Sequence, residues 1–167
     1  MKTVNDILLL GDSRLYQNCE EVKESDLSMV SSWANDMHEA MEDIRRVYGF
    51  GRAIAAPQLG IMKRMVYMNI DKPMIILNPL ITNKSTEEIE LWDDCMSFPN
   101  LLVKVKRHKH IDLVFRDENW KELSISFSDG LSELLQHELD HLDGILCTMR
   151  AVDQYSFKWR NNQNIKP

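Results

Sequence analysis

The sequence predicts an α+β domain, in which an N-terminal helix precedes a series of short strands and a second helix follows them. Two observations support this fold class. Apolar residues recur at helical spacing over 27–47 and again over about 130–142, and between these segments lie β-type runs broken by Asn, Asp, Pro and Lys clusters. The short connections favour a mostly antiparallel sheet on which the second helix packs. We expect residues 1–160 to form one domain and 161–167 a short tail.

The composition is that of an ordinary globular domain, with 44 % hydrophobic residues, a net charge of −6 and a pI near 5.4. The acidic balance argues against direct nucleic-acid binding and against an anionic membrane surface as a partner. The apolar run Ile7–Leu10 is too short for a signal-peptide core or a membrane span, so we expect a cytoplasmic protein. The three widely spaced cysteines fit a reducing compartment better than a disulfide framework.

The first helix is predicted over 27–47, with Asp26 as its N-cap. His38 lies off its apolar stripe, so we expect a solvated histidine that binds no metal. The stripe consists of apolar residues three and four positions apart: Val30, Trp33, Ala34, Met37, Ala40, Met41, Ile44 and Val47.

The segment 49–60, GFGRAIAAPQLG, lacks the GK[ST] of a P-loop and the GxGxxG that opens a dinucleotide-binding helix. Two interpretations remain. It could be a tight structural turn with alanine-rich packing, or a backbone shelf for an extended ligand with the Gln58 amide as a hydrogen-bond donor.

Six strands are predicted in the middle of the chain, over 63–70, 73–77, 87–91, 101–106, 110–116 and 122–127. The basic stretch KVKRHKH at 104–110 is interpreted mostly as the solvated face of a sheet. For that reason His108 and His110 are weaker metal-ligand candidates than Cys95.

The second helix carries HExxH, in which His137 and His141 are four residues apart and therefore lie on one helix face. Both imidazoles can reach one metal ion, and Glu138 lies beside that ion, where a proton shuttle belongs. Ser128 or Asp129 could cap the helix, and Gly144 is placed to end it. Its apolar face is Leu131, Leu134, Leu135, Leu139 and Leu142.

A catalytic metal site needs a third protein ligand. Cys95, in WDDCMSFP between a strand-like run and a turn, is the favoured candidate, while Cys19 and Cys147 are expected to be buried apolar fillers. Asp143 and Asp153 follow the helix but no further histidine does, which disfavours a zincin-type protease. The remaining upstream candidates are Cys19, His38, His108 and His110.

Three pieces of the sequence, in this order, resemble the motifs of the peptide deformylase family. GRAIAAPQ resembles GxGxAAxQ, DDCMS resembles EGCLS, and QHELDH resembles QHExDH. The resemblance implies a peptide-deformylase-like fold, with mostly antiparallel sheets packed around a central metal-binding HExxH helix and an N-terminal helix. It also implies the metal-dependent removal of the formyl group from the N-terminal methionine of newly made polypeptides. It implies an N-formylated nascent chain as the partner, with transient ribosome association.

The same resemblance implies a metal held by Cys95, His137 and His141, with water in the fourth position. Iron(II) is expected, and zinc or nickel could replace it. Glu138 would take a proton from the water and deliver it to the departing amine.

The resemblance also implies that the Gln58 amide and the backbone N–H of Met96 stabilise the oxyanion. Asp140 is expected to orient a histidine or to pair with Arg107, or else to be a solvated helix residue.

Several residues depart from the family pattern. Ala53 replaces a glycine, and its methyl group is tolerated if the backbone φ is negative. Asp93 and Asp94 replace Glu and Gly directly before Cys95. Arg52 occupies a position that is usually aliphatic, and it could pair with Asp94.

Glu133 lies one helical turn before His137 and is interpreted first as an outward, solvated carboxylate. The alternative is that Arg52, Asp94 and Glu133 reshape and polarise a pocket that in the family accepts methionine, while Ala53 adds a methyl group beside the expected substrate strand. The protein could then be an amide hydrolase with another N-formyl substrate, or a non-catalytic homologue.

Overall fold

The computed structural model describes residues 1–160, so the tail predicted for 161–167 lies outside the described residues. Helix α1 spans Leu27–Tyr48 and helix α2 spans Asp129–Leu142, in agreement with the two predicted helices. Asp26 and Ser128 occupy the N-cap positions, but neither side chain bonds to the first turn.

The end of α2 is fixed by Gly144, whose φ of 69° favours glycine. A β-carbon at this position would lie 2.6 Å from the backbone carbon of Tyr16, so the neighbouring chain also requires glycine here.

Eight strands form two antiparallel sheets in the described part of the chain. The large sheet has the order β1-β2-β3-β6-β7 and the small sheet has the order β4-β5-β8. The strand bounds are β1 Ala53–Ala55, β2 Met65–Asn69, β3 Pro73–Lys84, β4 Glu88–Asp94, β5 Leu101–His108, β6 His110–Arg116, β7 Glu122–Ser128 and β8 Phe157–Trp159.

The strands differ from the predicted ones chiefly at β1, β3 and β8, and β4 also continues three residues beyond its predicted end, to Asp94. β1 and β8 have three residues each, too few to show a periodic pattern. β3 continues to Lys84 through an irregularity at Asn78, which has a φ of 51° and hydrogen-bonds the backbone of Val22 at both ends of its amide. The strand was predicted to stop at 77 because Asn78 and Pro79 follow there, and such residues commonly end strands.

Helix α2 packs against strands of both sheets, and most of its side chains are buried. Its residues Leu134, Leu135, Leu139 and Leu142 join the large-sheet core, whereas Leu131, predicted on the same apolar face, is exposed. The small sheet packs on a separate cluster that includes Cys95. The helix that carries the histidines therefore lies between the sheets, as predicted.

Helix α1 covers the opposite part of the large sheet through its apolar stripe. Two predictions about this helix are wrong. Val47 is 47 % exposed, and His38 is half-buried with its Nδ1 3.1 Å from the Tyr67 hydroxyl. Within residues 1–160, no helix combines the length and apolarity needed to cross a membrane.

Candidate metal centre and active site

The structure brings together the three residues predicted to bind a metal. Cys95 directly follows β4, and His137 and His141 lie on one face of α2. The Nε2 atoms of the two histidines are 3.2 Å apart, and the Cys95 Sγ is 3.3 Å from the His141 Nε2. All three side chains are buried. Residues that are 46 positions apart in the sequence thus offer three donor atoms to one point.

This spacing fits a divalent metal ion. Tetrahedral bonds of about 2.0–2.3 Å place nitrogen and sulfur ligands about 3.3–3.6 Å from one another, close to the separations observed here. One thiolate and two imidazoles are also a ligand set that suits zinc, iron and nickel.

A second group of potential ligands shares His137. Asp93, His137 and Cys147 offer atoms within 4.8 Å of one another, so Cys147 is buried as predicted but lies beside a candidate ligand. The Arg107 Nη2 donates to the Asp93 Oδ2 over 3.1 Å. A cation bound there would face this buried guanidinium and compete for the same carboxylate, so the first group is the better metal site.

Asp93 instead orients His137. The His137 Nδ1 and the Asp93 Oδ2 are 2.9 Å apart, so an N–H at Nδ1 donates to the carboxylate and leaves Nε2 free to bind metal. Burial raises the pKa of Asp93, but His137 and Arg107 outweigh it and hold the pKa below its ordinary value. The sequence offered a signal for this role, because residues two apart on a strand share a face, and Asp93 lies two residues before Cys95.

The prediction of a solvated face over 104–110 is wrong for Arg107, which is 4 % exposed and points inward. Arg107 bonds both Asp93 and Asp140, and Asp140 also accepts a 2.9 Å hydrogen bond from Arg150. Asp140 therefore pairs with Arg107, one of the predicted alternatives, and does not itself contact a histidine. A buried cation is required there because two carboxylates lie behind the histidines.

His108 and His110 lie outside the group of candidate ligands, as expected. The His108 Nδ1 is 2.8 Å from the carbonyl oxygen of Ser85, and the His110 Nδ1 is 2.8 Å from the Ser128 hydroxyl.

Glu138 is buried next to the histidines and faces the same cleft. Its Oε2 lacks a hydrogen-bond partner among the described residues. Burial raises the pKa of Glu138 to about 7. A carboxyl group with that pKa can both accept and release a proton near neutral pH.

Gln58 reaches the site from a short 3-10 turn, Ala56–Leu59, that follows β1. Its Oε1 accepts the Ala55 N–H over 3.0 Å, which directs the NH₂ group towards Cys95 and Ser97, at 3.6 and 3.2 Å. The segment therefore combines the two predicted interpretations, because its alanines are buried while its glutamine presents a donor to the cleft. Met96 directly follows Cys95 and also lines the cleft.

These residues line a cleft of about 290 Å³. Ala53, which stands where the family motif has glycine, lies in β1 and pairs with Met68. It is not among the described residues with positive φ, so its backbone accepts the extra methyl group without strain. The lining comprises Phe50, Gly51, Arg52, Ala53, Gln58, Asp93, Asp94, Cys95, Met96, Glu133, Leu134, His137 and Glu138.

Two predictions about the charged residues of the cleft are wrong. Arg52 does not pair with Asp94; its Nη2 lies 2.5 Å from the Glu133 Oε1, and Glu133 is buried rather than solvated. Asp94 is bonded to Arg160, which follows β8 and stacks 4.2 Å above the Phe50 ring. Arg160, which directly follows the unpredicted strand β8, is therefore the partner of Asp94 in place of Arg52.

Comparison with known proteins gives a consistent result. A family model described as polypeptide deformylase matches residues 4–156. The chain is 34 % identical over 146 residues to the peptide deformylase of Pseudothermotoga lettingae, covering 86 % of this chain and 80 % of that one. It is 32 % identical to the peptide deformylase of Wolbachia pipientis, covering 96 % and 94 %.

Solved structures are similar as well. The crystal structure of a peptide deformylase from Synechococcus elongatus in complex with actinonin has a TM-score of 0.82 at 26 % identity, covering 90 % of this chain and 80 % of that one. The peptide deformylase of Thermotoga maritima has a TM-score of 0.79 at 26 % identity, covering 88 % and 97 %.

Proposed function

The chain belongs to the polypeptide deformylase family, and we propose that Cys95, His137 and His141 hold the metal ion of its active site. It is a metallohydrolase that removes the formyl group from the N-terminal methionine of newly made polypeptides, releasing formate. The observation that carries the proposed site is the convergence of one thiol and two imidazole nitrogens beside a cleft that Cys95 and His137 line, next to the unpartnered Oε2 of Glu138.

The proposed resident metal is iron(II), with zinc or nickel as functional replacements, because family resemblance favours iron and the sulfur and nitrogen donors suit all three. When bound, the ion supplies a Lewis acid that makes water nucleophilic and polarises the formyl oxygen.

The chain's own residues then divide the proton transfers and charge stabilisation. Glu138 accepts a proton as the oxygen of water bonds to the formyl carbon, and it returns that proton to the nitrogen as the carbon–nitrogen bond breaks. The products are formate and a free methionyl amine. Because the Gln58 carbonyl is held by Ala55, its NH₂ group is available to donate to the developing oxyanion, with the Met96 N–H as a second donor.

The proposed setting is the cytoplasm, where residues 1–160 act as one domain on nascent chains during transient association with the ribosome. The net charge of −6 argues against direct binding to nucleic acid. A non-catalytic role is disfavoured because a purely structural relative would not need an unpartnered buried carboxylate at Glu138.

The test is formate release from N-formyl-Met-Ala-Ser by protein loaded anaerobically with iron(II) or nickel. We expect turnover that a chelator abolishes, and a decrease of about 10²- to 10⁴-fold in Glu138→Gln, the range for loss of a general acid and base. The metal content of this variant must equal that of the unmodified protein. Turnover that persists in Glu138→Gln would contradict the proposed role.

A further inference from the structure

A second concave site borders α2 and is not used by the proposed reaction. This groove has a volume of about 390 Å³ and lies between the later part of β3, the end of β5 and one face of α2. Gln136, Leu139 and Asp140 belong to that face because they are three and four residues apart, and it differs from the face that carries His137 and His141. A site of this size can hold a small molecule.

The lining of the groove is positive although the chain is acidic. The whole chain has a net charge of −6, whereas five lysines and arginines and only three carboxylates line the groove. A concave surface with an excess of positive charge attracts anions. The cations are Arg64, Lys84, Lys106, Arg107 and Arg150, and the carboxylates are those of Glu88, Asp140 and Asp143.

Two of these cations are free to bind a ligand. Lys84 and Lys106 are exposed, and neither side chain forms an ion pair within residues 1–160. They belong to neighbouring parts of the lining. Lys84 directly precedes Ser85, whose carbonyl oxygen lies 2.8 Å from the His108 Nδ1, and Lys106 shares a strand face with His108. Two ammonium groups placed in this way suit the oxygens of a phosphate group.

Arg107 brings a buried donor to the same groove. Its Nη1 and Nη2 bond Asp140 and Asp93, while its Nε has no hydrogen-bond partner in the described part of the chain. Buried donors in folded proteins are nearly always paired, and a bound ion or water molecule is a usual partner where the protein supplies none. This N–H is an indication of a ligand that does not depend on the two lysines.

The groove also has an apolar wall, which is formed by β3. Leu80 is 63 % exposed although it lies in a strand, and the neighbouring Ile81 is half-buried. Both residues line the groove. Covering an exposed apolar side chain favours binding. An inorganic phosphate ion would leave this wall in water, whereas the organic part of a larger ligand can cover it.

We propose that this groove is a binding site for a small organic phosphate. Its phosphate groups lie at Lys84 and Lys106, in the positive field of Arg107, and its organic part packs on Leu80 and Ile81. The site is separate from the candidate metal centre, so the inference does not rest on the proposed function.

The experiment is a calorimetric titration of zinc-loaded protein with ADP, pyrophosphate and adenosine at low ionic strength. We expect ADP to bind, and pyrophosphate to bind at least about threefold more weakly because it does not cover the apolar wall. Adenosine should not bind, since it lacks the charged groups. The affinity for ADP must decrease as salt is added, because salt screens exposed charges.

The matched variants are Lys84→Gln with Lys106→Gln, and Lys72→Gln with Lys121→Gln. Each double variant removes two exposed positive charges, but only the first pair lines the groove. We expect ADP to bind about tenfold more weakly to the first double variant, the effect of losing two partly exposed ion pairs, and the second to change by less than about twofold.

A further variant separates the groove from the candidate metal centre, because a metal ion could also bind phosphate. Cys95→Ala removes a proposed metal ligand that lies outside the groove lining, so the affinity for ADP should change by less than about twofold. Absence of ADP binding, equal losses in the two double variants, or ADP binding that requires Cys95 would overturn the inference. Adenosine or pyrophosphate bound as tightly as ADP would also contradict it.

Discussion

The two nitrogens of the His137 ring face different surroundings. On the Nε2 side, the front side, lie Cys95 and His141, next to the open cleft. On the Nδ1 side, the rear side, lie Asp93 and Cys147, with the buried guanidinium of Arg107 behind them. Both sides offer donors that a metal could use, but only the rear side has a fixed cation. The comparison teaches that a neighbouring charge can decide which of two similar donor groups is a metal site and which one orients it.

The largest expected effect comes from removing the rear cation. Arg107→Met would leave Asp93 and Asp140 as buried carboxylates that have lost a cationic partner, and we expect a loss of about 3–5 kcal/mol in the free energy of unfolding. Chemical denaturation measures this. Arg150→Met is the control, because Arg150 bonds the same Asp140 but is half exposed, and it should cost less than about 1 kcal/mol. Equal losses in the two variants would contradict the assignment of the buried network to Arg107.

The next effect concerns the front side. Gln58→Leu keeps a similar side-chain volume but removes the NH₂ group that faces Cys95 and Ser97. We expect kcat for formyl-peptide hydrolysis to fall about 10²- to 10³-fold, as for loss of an oxyanion donor, while the metal content is unchanged. A variant with normal kcat would remove Gln58 from the reaction.

A smaller effect, on metal affinity, should follow from weakening the hydrogen bond between the His137 Nδ1 and the Asp93 carboxylate. Asp93→Asn replaces the carboxylate that accepts from the His137 Nδ1, and metal affinity should fall about 10- to 100-fold. Asp94→Asn is the matched control, since this neighbouring carboxylate bonds Arg160 and no histidine. Competition with a metal-binding dye measures both affinities, and equal losses would mean that general cleft charge, not histidine orientation, sets the affinity.

The sequence predicted the front side well because its information is local. The four-residue spacing of HExxH places His137 and His141 on one helix face, and the leucine pattern predicted α2 within one residue of its observed start. Cys95 lies far away in the sequence, so it was favoured from its place between a strand-like run and a turn, and the resemblance of DDCMS to a family motif then supported that choice. The α+β class and most strands followed from periodic patterns of the same local kind.

The ion pairs could not be predicted in the same way. Arg52 and Glu133 are 81 residues apart, and Asp94 and Arg160 are 66 apart. Several partners of opposite charge were equally plausible for each. The packing of α2 against β1 places Glu133 beside Arg52, and the pairing of β8 with β5 places Arg160 beside Asp94. Arg107 was misinterpreted because a strand in a basic stretch still alternates between faces, and one of its basic residues points inward.

The most direct test of the account is the metal content of two cysteine variants after reconstitution with iron(II) or zinc. Both Cys95 and Cys147 are buried beside His137, so Cys95→Ala and Cys147→Ala make the same chemical change on opposite sides of one ring. We expect the unmodified protein and Cys147→Ala to bind about one metal ion per chain, and Cys95→Ala to lose tight binding because only two protein ligands remain. Metal retained in Cys95→Ala and lost in Cys147→Ala would place the ion on the rear side and contradict the account.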